Sequence, residues 1–230
     1  MQRCGYGSGA PERLAPGKPK RSFAADCMPE IVVLVAHPQQ AHSRVNRALM
    51  QGAARATPGR VEVRDLYALY PDYLIDVEAE QALLVEARLV VWQHPIHWYG
   101  MPPLMKLWLD EVFAFGWAYG PGGRHLQGKD LWLVASTGGP SESYRPDGYN
   151  RYFFDAFLPP YEQTAALAGM RFLPPLLVHG AHRLGDDQLD AQVQTYTQRL
   201  ASYPDWPELA ELEPCAPCDV PGDARPADQS

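Results

Sequence analysis

The most constraining feature of this sequence is an uninterrupted apolar segment, Ile31 to Ala36, built from one isoleucine, three valines, a leucine and an alanine. β-branched side chains favour extended backbone, so the segment predicts a strand. A strand with one face in water alternates apolar and polar residues, and this segment has no polar residue. We therefore predict a strand buried on both faces, as in parallel sheets that carry helices on both sides.

Strand-like and helix-like segments alternate throughout residues 30–203. Further strands are predicted at Val61–Asp65, Leu89–Gln93, Leu131–Ser136 and Arg171–His179. Helices are predicted to begin near Ser43, Glu78, Pro102, Pro160 and Asp186, with a tyrosine-rich loop at residues 66–77. This alternation predicts an α/β protein with a parallel sheet. Five strands fit the flavodoxin-like order 2-1-3-4-5 with helices on both faces, while periodicity alone leaves a dinucleotide-binding order open.

The two ends of the 230-residue chain differ from this core in charge and composition. Residues 1–29 carry a formal balance of +3 and residues 204–230 a balance of −6, both with few core-forming residues. We predict a disordered basic tail, one domain over residues 30–203, and a disordered acidic, proline-rich tail. The core is left at −4, which argues against nucleic acid as a partner.

The cysteines follow the same division. All four lie in or beside the tails, at Cys4, Cys27, Cys215 and Cys218. The core has no cysteine, which excludes a cysteine nucleophile there and suits a reducing compartment. The last two cysteines form a CxxC spacing, but the acidic, proline-rich sequence around them is not the βαβ context of a redox motif.

Ligands of open α/β sheets bind beyond the carboxyl ends of the strands, where the strand order reverses. This rule directs attention to three loops, at residues 37–46, 94–100 and 136–150. The first loop leads into a helix whose unpaired N–H groups favour a phosphate. Its candidate binding residues are His37, Ser43, Arg44, Val45 and Asn46. A capped helix beside an incidental histidine remains the alternative.

The other two loops offer flat side chains and close backbone approach. Pro95, Ile96, His97 and Trp98 are candidates for clamping a planar ligand, although aromatic residues at a strand end also serve as core or lid. Ser136, Thr137, Gly138 and Gly139 form a glycine-rich segment that lets a ligand approach the main chain. The coincidence of all three loops is more specific than any single one.

Several ordered motifs in residues 30–203 resemble one known family. They are Ala36-His37-Pro38 followed by Ser43 and Asn46, Leu69-Tyr70-Pro71-Asp72, Val91-Trp92-Gln93-His94-Pro95 with His97-Trp98-Tyr99, Pro102 to Asp110, Gly116-Trp117-Ala118-Tyr119-Gly120, and Thr137-Gly138-Gly139. The sequence is similar to the flavodoxin-like NAD(P)H:quinone oxidoreductases. Among them it most resembles the ancillary proteins of bacterial glutathione-regulated potassium-efflux systems.

This resemblance implies a flavin, with FMN expected and FAD left open, and NAD(P)H as co-substrate. His37 and Ser43 to Asn46 would bind the phosphate and ribityl chain, Pro95 to Trp98 would lie along the ring system, and Ser136 to Gly139 would bind its polar edge. Tyr144 matches a tyrosine that assists hydride transfer in the wider family. The histidine usual six positions later is Asn150 here, which weakens a Tyr/His relay of the usual kind.

The predicted function is hydride transfer from a nicotinamide through the flavin to a quinone or similar electrophile. The alternative is a regulatory subunit of a glutathione-gated potassium-efflux transporter, cytoplasmic or peripheral at the inner membrane through that partner, and both roles are compatible. The resemblance also implies a homodimer, to which Trp117 and Tyr119 are expected to contribute if exposed. No metal is predicted, because His94 and His97 lack an HExxH motif or accompanying carboxylates.

Overall fold

The computed structural model describes residues 29–212, which form five strands and six α-helices joined by loops and short 3₁₀ turns. The strands are β1 (Ile31–Val35), β2 (Val61–Asp65), β3 (Leu89–Pro95), β4 (Asp130–Ser136) and β5 (Arg171–Val178). The helices are α1 (Arg44–Ala56), α2 (Leu66–Leu69), α3 (Val77–Glu86), α4 (Pro103–Val112), α5 (Pro159–Leu167) and α6 (Asp186–Ser202).

All strand pairs in this sheet are parallel, and the strand order is β2-β1-β3-β4-β5. The flavodoxin-like prediction is confirmed, and this order is not the dinucleotide-binding one. The interior strand β1 pairs through Ile31 with Val61 of β2 on one side and with Leu89 of β3 on the other. The chain passes from β1 to β2 on one side of β1 and then crosses to β3 on the other side. The topological switch point therefore lies at the carboxyl ends of β1 and β3.

The buried residues of β1 divide between two hydrophobic clusters, one on each side of the sheet. Val32 and Leu34 point into the cluster that also contains residues of α3, α4 and α5. Ile31, Val33 and Val35 point into the cluster formed with α1 and α6. All five strand residues have no exposed surface, which confirms that β1 is buried on both faces.

Several boundaries differ from the sequence-based expectation. The tyrosine-rich segment begins with the short helix α2, because the Asp65 side chain caps it by accepting from the Ala68 amide at 3.3 Å. The strand β3 continues past Gln93 to Pro95. Trp117 and Tyr119, for which both exposure at a dimer interface and burial within the monomer were open, are half-buried against the core of the same chain.

Residues 204–212, the first part of the predicted disordered acidic tail, are ordered and pack on the domain. Trp206 and Leu209 are buried in the α1/α6 cluster, and the Trp206 indole N–H donates to the Arg199 carbonyl at 2.8 Å. The chain therefore continues to pack on the domain beyond residue 203, as far as residue 212. Predictions about residues 1–28, residues 213–230 and the four cysteines lie outside the described residues. Within residues 29–212, no helix is both long and apolar enough to cross a membrane.

Candidate functional site

The three predicted loops meet at the carboxyl ends of β1, β3 and β4. The Asn46 side chain at the start of α1 donates to the Ser136 hydroxyl at 2.8 Å, which joins the first loop to the third. Ile96 in the second loop donates its N–H to the Ser136 carbonyl at 2.8 Å. The buried amide of Gln93 donates to the Asn46 carbonyl at 2.9 Å. Hydrogen bonds to Ser136 and Asn46 thus join the three loops at one site.

In the first loop, only part of the predicted set presents a side chain to a ligand. Ser43 caps α1 by accepting from the Asn46 amide at 3.2 Å. Val45 is buried in the core, so only its main chain is available. The Arg44 guanidinium bonds to the Asp186 carboxylate and to the Leu184 carbonyl, both at 2.5 Å, and its charge is therefore compensated by α6.

His37 lies at the entrance of this loop and faces His97 across the site. Their ring centroids are 6.2 Å apart in an edge-on arrangement, and His37 Nδ1 accepts from the Gln39 amide at 3.0 Å. Burial lowers the pKa of His37, and the nearby His97 lowers it further. The phosphate end of the predicted site is therefore built from neutral groups and main-chain N–H donors rather than from free cations.

The second loop carries an exposed aromatic side chain on a strained main chain. His97 and Gly100 exchange main-chain hydrogen bonds of 2.9 and 3.1 Å, which close a tight turn. Trp98 and Tyr99 inside the turn adopt left-handed φ values of 49° and 65°. The Trp98 side chain is 95% exposed. Strain of this kind concentrates at ligand clamps, and an exposed indole provides a stacking surface. Pro95, by contrast, is buried at the end of β3.

The third loop is fixed by main-chain bonds to the end of β5. Thr137 donates to the Val178 carbonyl at 3.0 Å and accepts from Ala181 at 2.9 Å. A Cβ at Gly139 would lie 2.5 Å from the Tyr149 hydroxyl and 2.7 Å from Ser143 Oγ, so a larger residue there would require these two side chains to move. The main chain at Gly138 is exposed and remains accessible to a ligand.

Tyr144 is buried behind this loop, among Phe154, Phe157 and His179. Burial raises the pKa of its phenol above the ordinary value, with further increases from Tyr149 and Tyr99, while a hydrogen bond with Thr137 acts in the opposite direction. The phenol is therefore protonated at neutral pH and suited to donate a proton.

Sequence reasoning gave no role to His179 or Gln93, and it did not find the contact that Asn150 makes. His179 contacts Tyr144 from the end of β5, and Gln93 supports Asn46 from below. Asn150 donates its side-chain amide to Ser143 Oγ at 2.9 Å and closes the third loop. The rule that ligands sit at strand ends could have found His179, because it is the first residue after β5.

His94 and His97, considered above for metal binding, do not form a pair. His94 has no exposed surface, its Nδ1 lies 3.0 Å from the Pro95 carbonyl, and its ring stacks on Tyr161. His97, by contrast, is exposed. Among residues 29–212, no cluster of three or more His, Cys, Asp or Glu side chains has the arrangement of a metal site.

The residues at the site fit a flavin. The amide oxygens of Asn46 and Gln93 are buried and find no hydrogen-bond partner within the described part of the chain. Buried polar atoms of this kind indicate an absent partner such as water or a ligand. Together with the exposed Trp98 and the accessible main chain at Gly138, they provide polar and stacking contacts for a flat, polar-edged molecule.

A parallel sheet in this order, with three loops converging at its switch point, defines a flavodoxin-like α/β protein. A family described by its flavodoxin-like fold matches residues 29–203. The chain belongs to that family, and its sequence places it with the ancillary proteins of glutathione-regulated potassium-efflux systems.

Three known proteins illustrate the similarity. The glutathione-regulated potassium-efflux system ancillary protein KefF of Citrobacter koseri is 44% identical over 173 residues, which cover 75% of this chain and 96% of the relative. The general stress protein 14 of Treponema denticola, solved in complex with FMN, is 36% identical with a TM-score of 0.70, covering 76% and 99% of the two chains. An NADPH-quinone reductase from P. pentosaceus is 27% identical with a TM-score of 0.67, covering 74% and 97%.

Proposed function

We propose that this protein is a flavin-dependent NAD(P)H:quinone oxidoreductase with FMN as its cofactor. The observation that carries the proposal is the strained, exposed Trp98 in a loop that the Ile96 amide joins to Ser136, and through it to Asn46, at the switch point of the sheet. The FMN bound by the Treponema denticola relative, and the activity in the name of the P. pentosaceus relative, support it. When bound, a flavin takes a hydride from a nicotinamide and passes two electrons to an acceptor.

Each loop contributes a separate part of this function. The first N–H groups of α1, together with His37 and Ser43, would bind the phosphate without a free positive charge. Trp98 would cover the ring system and exclude water from one side. The main chain near Gly138 and Gly139 would donate to the polar edge and stabilise negative charge there. Tyr144 would hold the proton needed by a reduced quinone oxygen.

Reconstitution tests the proposal directly. Purified protein mixed with FMN should retain it through gel filtration, and NADH or NADPH should bleach the visible absorbance under anaerobic conditions. Addition of a quinone should then restore the oxidised spectrum. Mass spectrometry of the released cofactor distinguishes FMN from FAD. Failure of the reconstituted protein to bleach with either nicotinamide would contradict the proposed activity.

Trp98→Ala is expected to weaken FMN binding by about fivefold, because an aromatic stacking contact contributes about 1 kcal/mol. Its effect on thermal stability should be small, since the side chain is 95% exposed. Flavin fluorescence titration measures the affinity. Leu74→Ala is the matched control, because Leu74 is also a large apolar residue that is 70% exposed but lies between α2 and α3, outside the three predicted loops. Equal FMN affinities for both variants would remove Trp98 from the site.

A second function is favoured by the 44% identity to KefF over nearly the whole length of that relative. We propose that the chain also acts as an ancillary subunit of a potassium-efflux transporter, cytoplasmic and held at the inner membrane by that partner. Co-purification with the transporter, and loss of stimulated efflux in a deletion strain, would test this role. Normal enzymatic turnover, together with no co-purification of the transporter, would limit the protein to the first function.

We further propose a homodimer. Trp98, Tyr149, Tyr152 and Phe153 expose 59–95% of their surface near the candidate site, an unusual concentration of aromatic surface for a monomer. Sedimentation equilibrium should give twice the 25.6 kDa mass of the chain. A monomer at micromolar concentration would contradict this proposal without affecting flavin binding.

A further inference from the structure

Three buried aromatic side chains on one face of the sheet each carry a polar atom without a partner. Trp92 and His94 are two positions apart on β3 and therefore point to the same face, where the ring of Tyr161 on α5 contacts both. Trp92 and His94 have no exposed surface, and Tyr161 exposes 2%. Within residues 29–212, Trp92 Nε1, His94 Nε2 and Tyr161 Oη find no hydrogen-bond partner. We call these three residues the buried triad.

The rings of the buried triad are not arranged to let their polar atoms pair directly. His94 and Tyr161 lie with ring centroids 5.8 Å apart and planes 19° from parallel, which is an offset stack. The lone pair of an imidazole nitrogen lies in the plane of its ring, so a hydroxyl on a stacked ring is off that direction. Trp92 and Tyr161 are 6.3 Å apart and tilted by 59°. A further molecule is therefore needed to satisfy the three atoms.

The roles of the three atoms follow from their surroundings. His94 Nδ1 lies 3.0 Å from the Pro95 carbonyl, which can only accept, so Nδ1 carries the proton and Nε2 presents a lone pair. Burial lowers the pKa of His94 to about 4, which keeps the imidazole neutral at neutral pH. The Trp92 indole N–H can only donate, and the Tyr161 hydroxyl can donate or accept. The buried triad thus offers one acceptor, one donor and one group that serves as either.

This combination selects a small neutral molecule over an ion. An anion would face the lone pair of His94 Nε2, and a cation would face the indole hydrogen of Trp92. No group of three or more His, Cys, Asp or Glu side chains in the described part of the chain could hold a metal ion. The other aromatic neighbour of Trp92 is Phe113, at 5.9 Å between ring centroids, and it has no polar atom. Water both donates and accepts, so it complements all three atoms.

We propose that Trp92, His94 and Tyr161 enclose a long-lived internal water molecule between β3 and α5. The water accepts from Trp92 Nε1, donates to His94 Nε2 and pairs with the Tyr161 hydroxyl. A buried water in a protein makes about three hydrogen bonds, which is the number available here. His94 is then held at both ring nitrogens, by the Pro95 carbonyl and by the water. The water thereby links α5 to the strand end from which the second loop departs.

A high-resolution crystal structure of the full chain tests the position of the water. A solvent peak should lie at about 2.7–3.2 Å from both Trp92 Nε1 and His94 Nε2. A buried triad without solvent, or direct hydrogen bonds among its three side chains, would overturn the proposal. The water does not depend on a flavin, so it should be present with and without FMN. Failure of this test would leave the proposed activity untouched.

NMR of ¹⁵N-tryptophan-labelled protein tests for the same water in solution. The Trp92 indole proton should show a cross-peak with water, of the sign that long-lived bound water produces. The Trp206 indole is the matched control and should show none, because it is buried and donates to the Arg199 carbonyl at 2.8 Å. Absence of the cross-peak at Trp92 would overturn the proposal.

Tyr161→Phe separates bound water from an exchanging hydroxyl proton. The phenol proton of Tyr161 exchanges with solvent and could by itself produce a cross-peak at the Trp92 indole. Tyr161→Phe removes that proton but leaves two of the three partners of the water, so the cross-peak should persist. Its loss in Tyr161→Phe would overturn the proposal, since the phenol proton would then account for the wild-type signal. Tyr196→Phe, at a second buried tyrosine, controls for the loss of a hydroxyl elsewhere and should also retain the cross-peak.

Discussion

Glu80→Ala is expected to lower the free energy of unfolding by about 3–5 kcal/mol, because it leaves a buried cation without its counter-ion. Glu80 has no exposed surface and accepts hydrogen bonds from three side chains. Arg64 donates through Nε at 3.1 Å and also through Nη2, Tyr70 donates its hydroxyl, and the Trp108 indole donates at 3.1 Å. The loss is a large fraction of the 5–15 kcal/mol that stabilises a typical domain.

Urea unfolding followed by circular dichroism measures this loss. Glu78→Ala is the matched control, because Glu78 lies on the same helix α3 but is exposed, and its free energy of unfolding should stay within about 0.5 kcal/mol of the wild type. Glu80→Gln keeps acceptor capacity and should fall between the two. A Glu80→Ala variant as stable as the Glu78→Ala variant would show that the ion pair with Arg64 contributes no net stability.

The parts of the fold predicted from sequence are those encoded by local patterns. The unbroken apolar run of β1 reports burial on both faces because each of its side chains must face a covering helix. The three loops were found because a parallel sheet places the carboxyl ends of its strands at one edge. Ser43 was predicted as the cap of α1 because its side-chain oxygen can pair with the amide of Asn46 three residues later.

The parts not predicted depend on pairings between residues distant in sequence. Arg44 meets Asp186 across 142 positions, and no local pattern shows that its charge is already compensated. The contact between Tyr144 and His179 likewise depends on the register of β4 against β5, which is irregular between Trp132 and Val134. Trp206 was assigned to a tail because proline and acidic residues surround it, whereas its burial depends on a hydrophobic surface made by α1 and α6.

Because His94 is buried in a neutral form, the free energy of unfolding should fall markedly between neutral pH and mild acid. Burial lowers the pKa of His94 to about 4, against an ordinary value of 6.5 that applies in the unfolded chain. Above pH 6.5 both states are neutral and the stability is complete. As the pH falls from 6.5 toward 4, the unfolded chain takes up a proton that the folded protein excludes. The difference between these two pKa values corresponds to about 3 kcal/mol in the free energy of unfolding, of which about 2 kcal/mol is lost by pH 5.

Urea unfolding at pH 7 and pH 5 separates this contribution from the carboxylates, most of which titrate at lower pH. His37 and His179, whose pKa values are also lowered by burial, act in the same direction, so a variant is needed to isolate His94. His94→Asn is less stable than wild type at pH 7, because the side chain is smaller than the ring that stacks on Tyr161. Its stability should nevertheless decline by about 2 kcal/mol less than the wild type between the two pH values.

His42→Asn, at an exposed position, should retain the full wild-type decline. Equal declines in wild type and His94→Asn would show that the pKa of His94 in the folded protein stays near its ordinary value and that its burial does not cause the acid sensitivity.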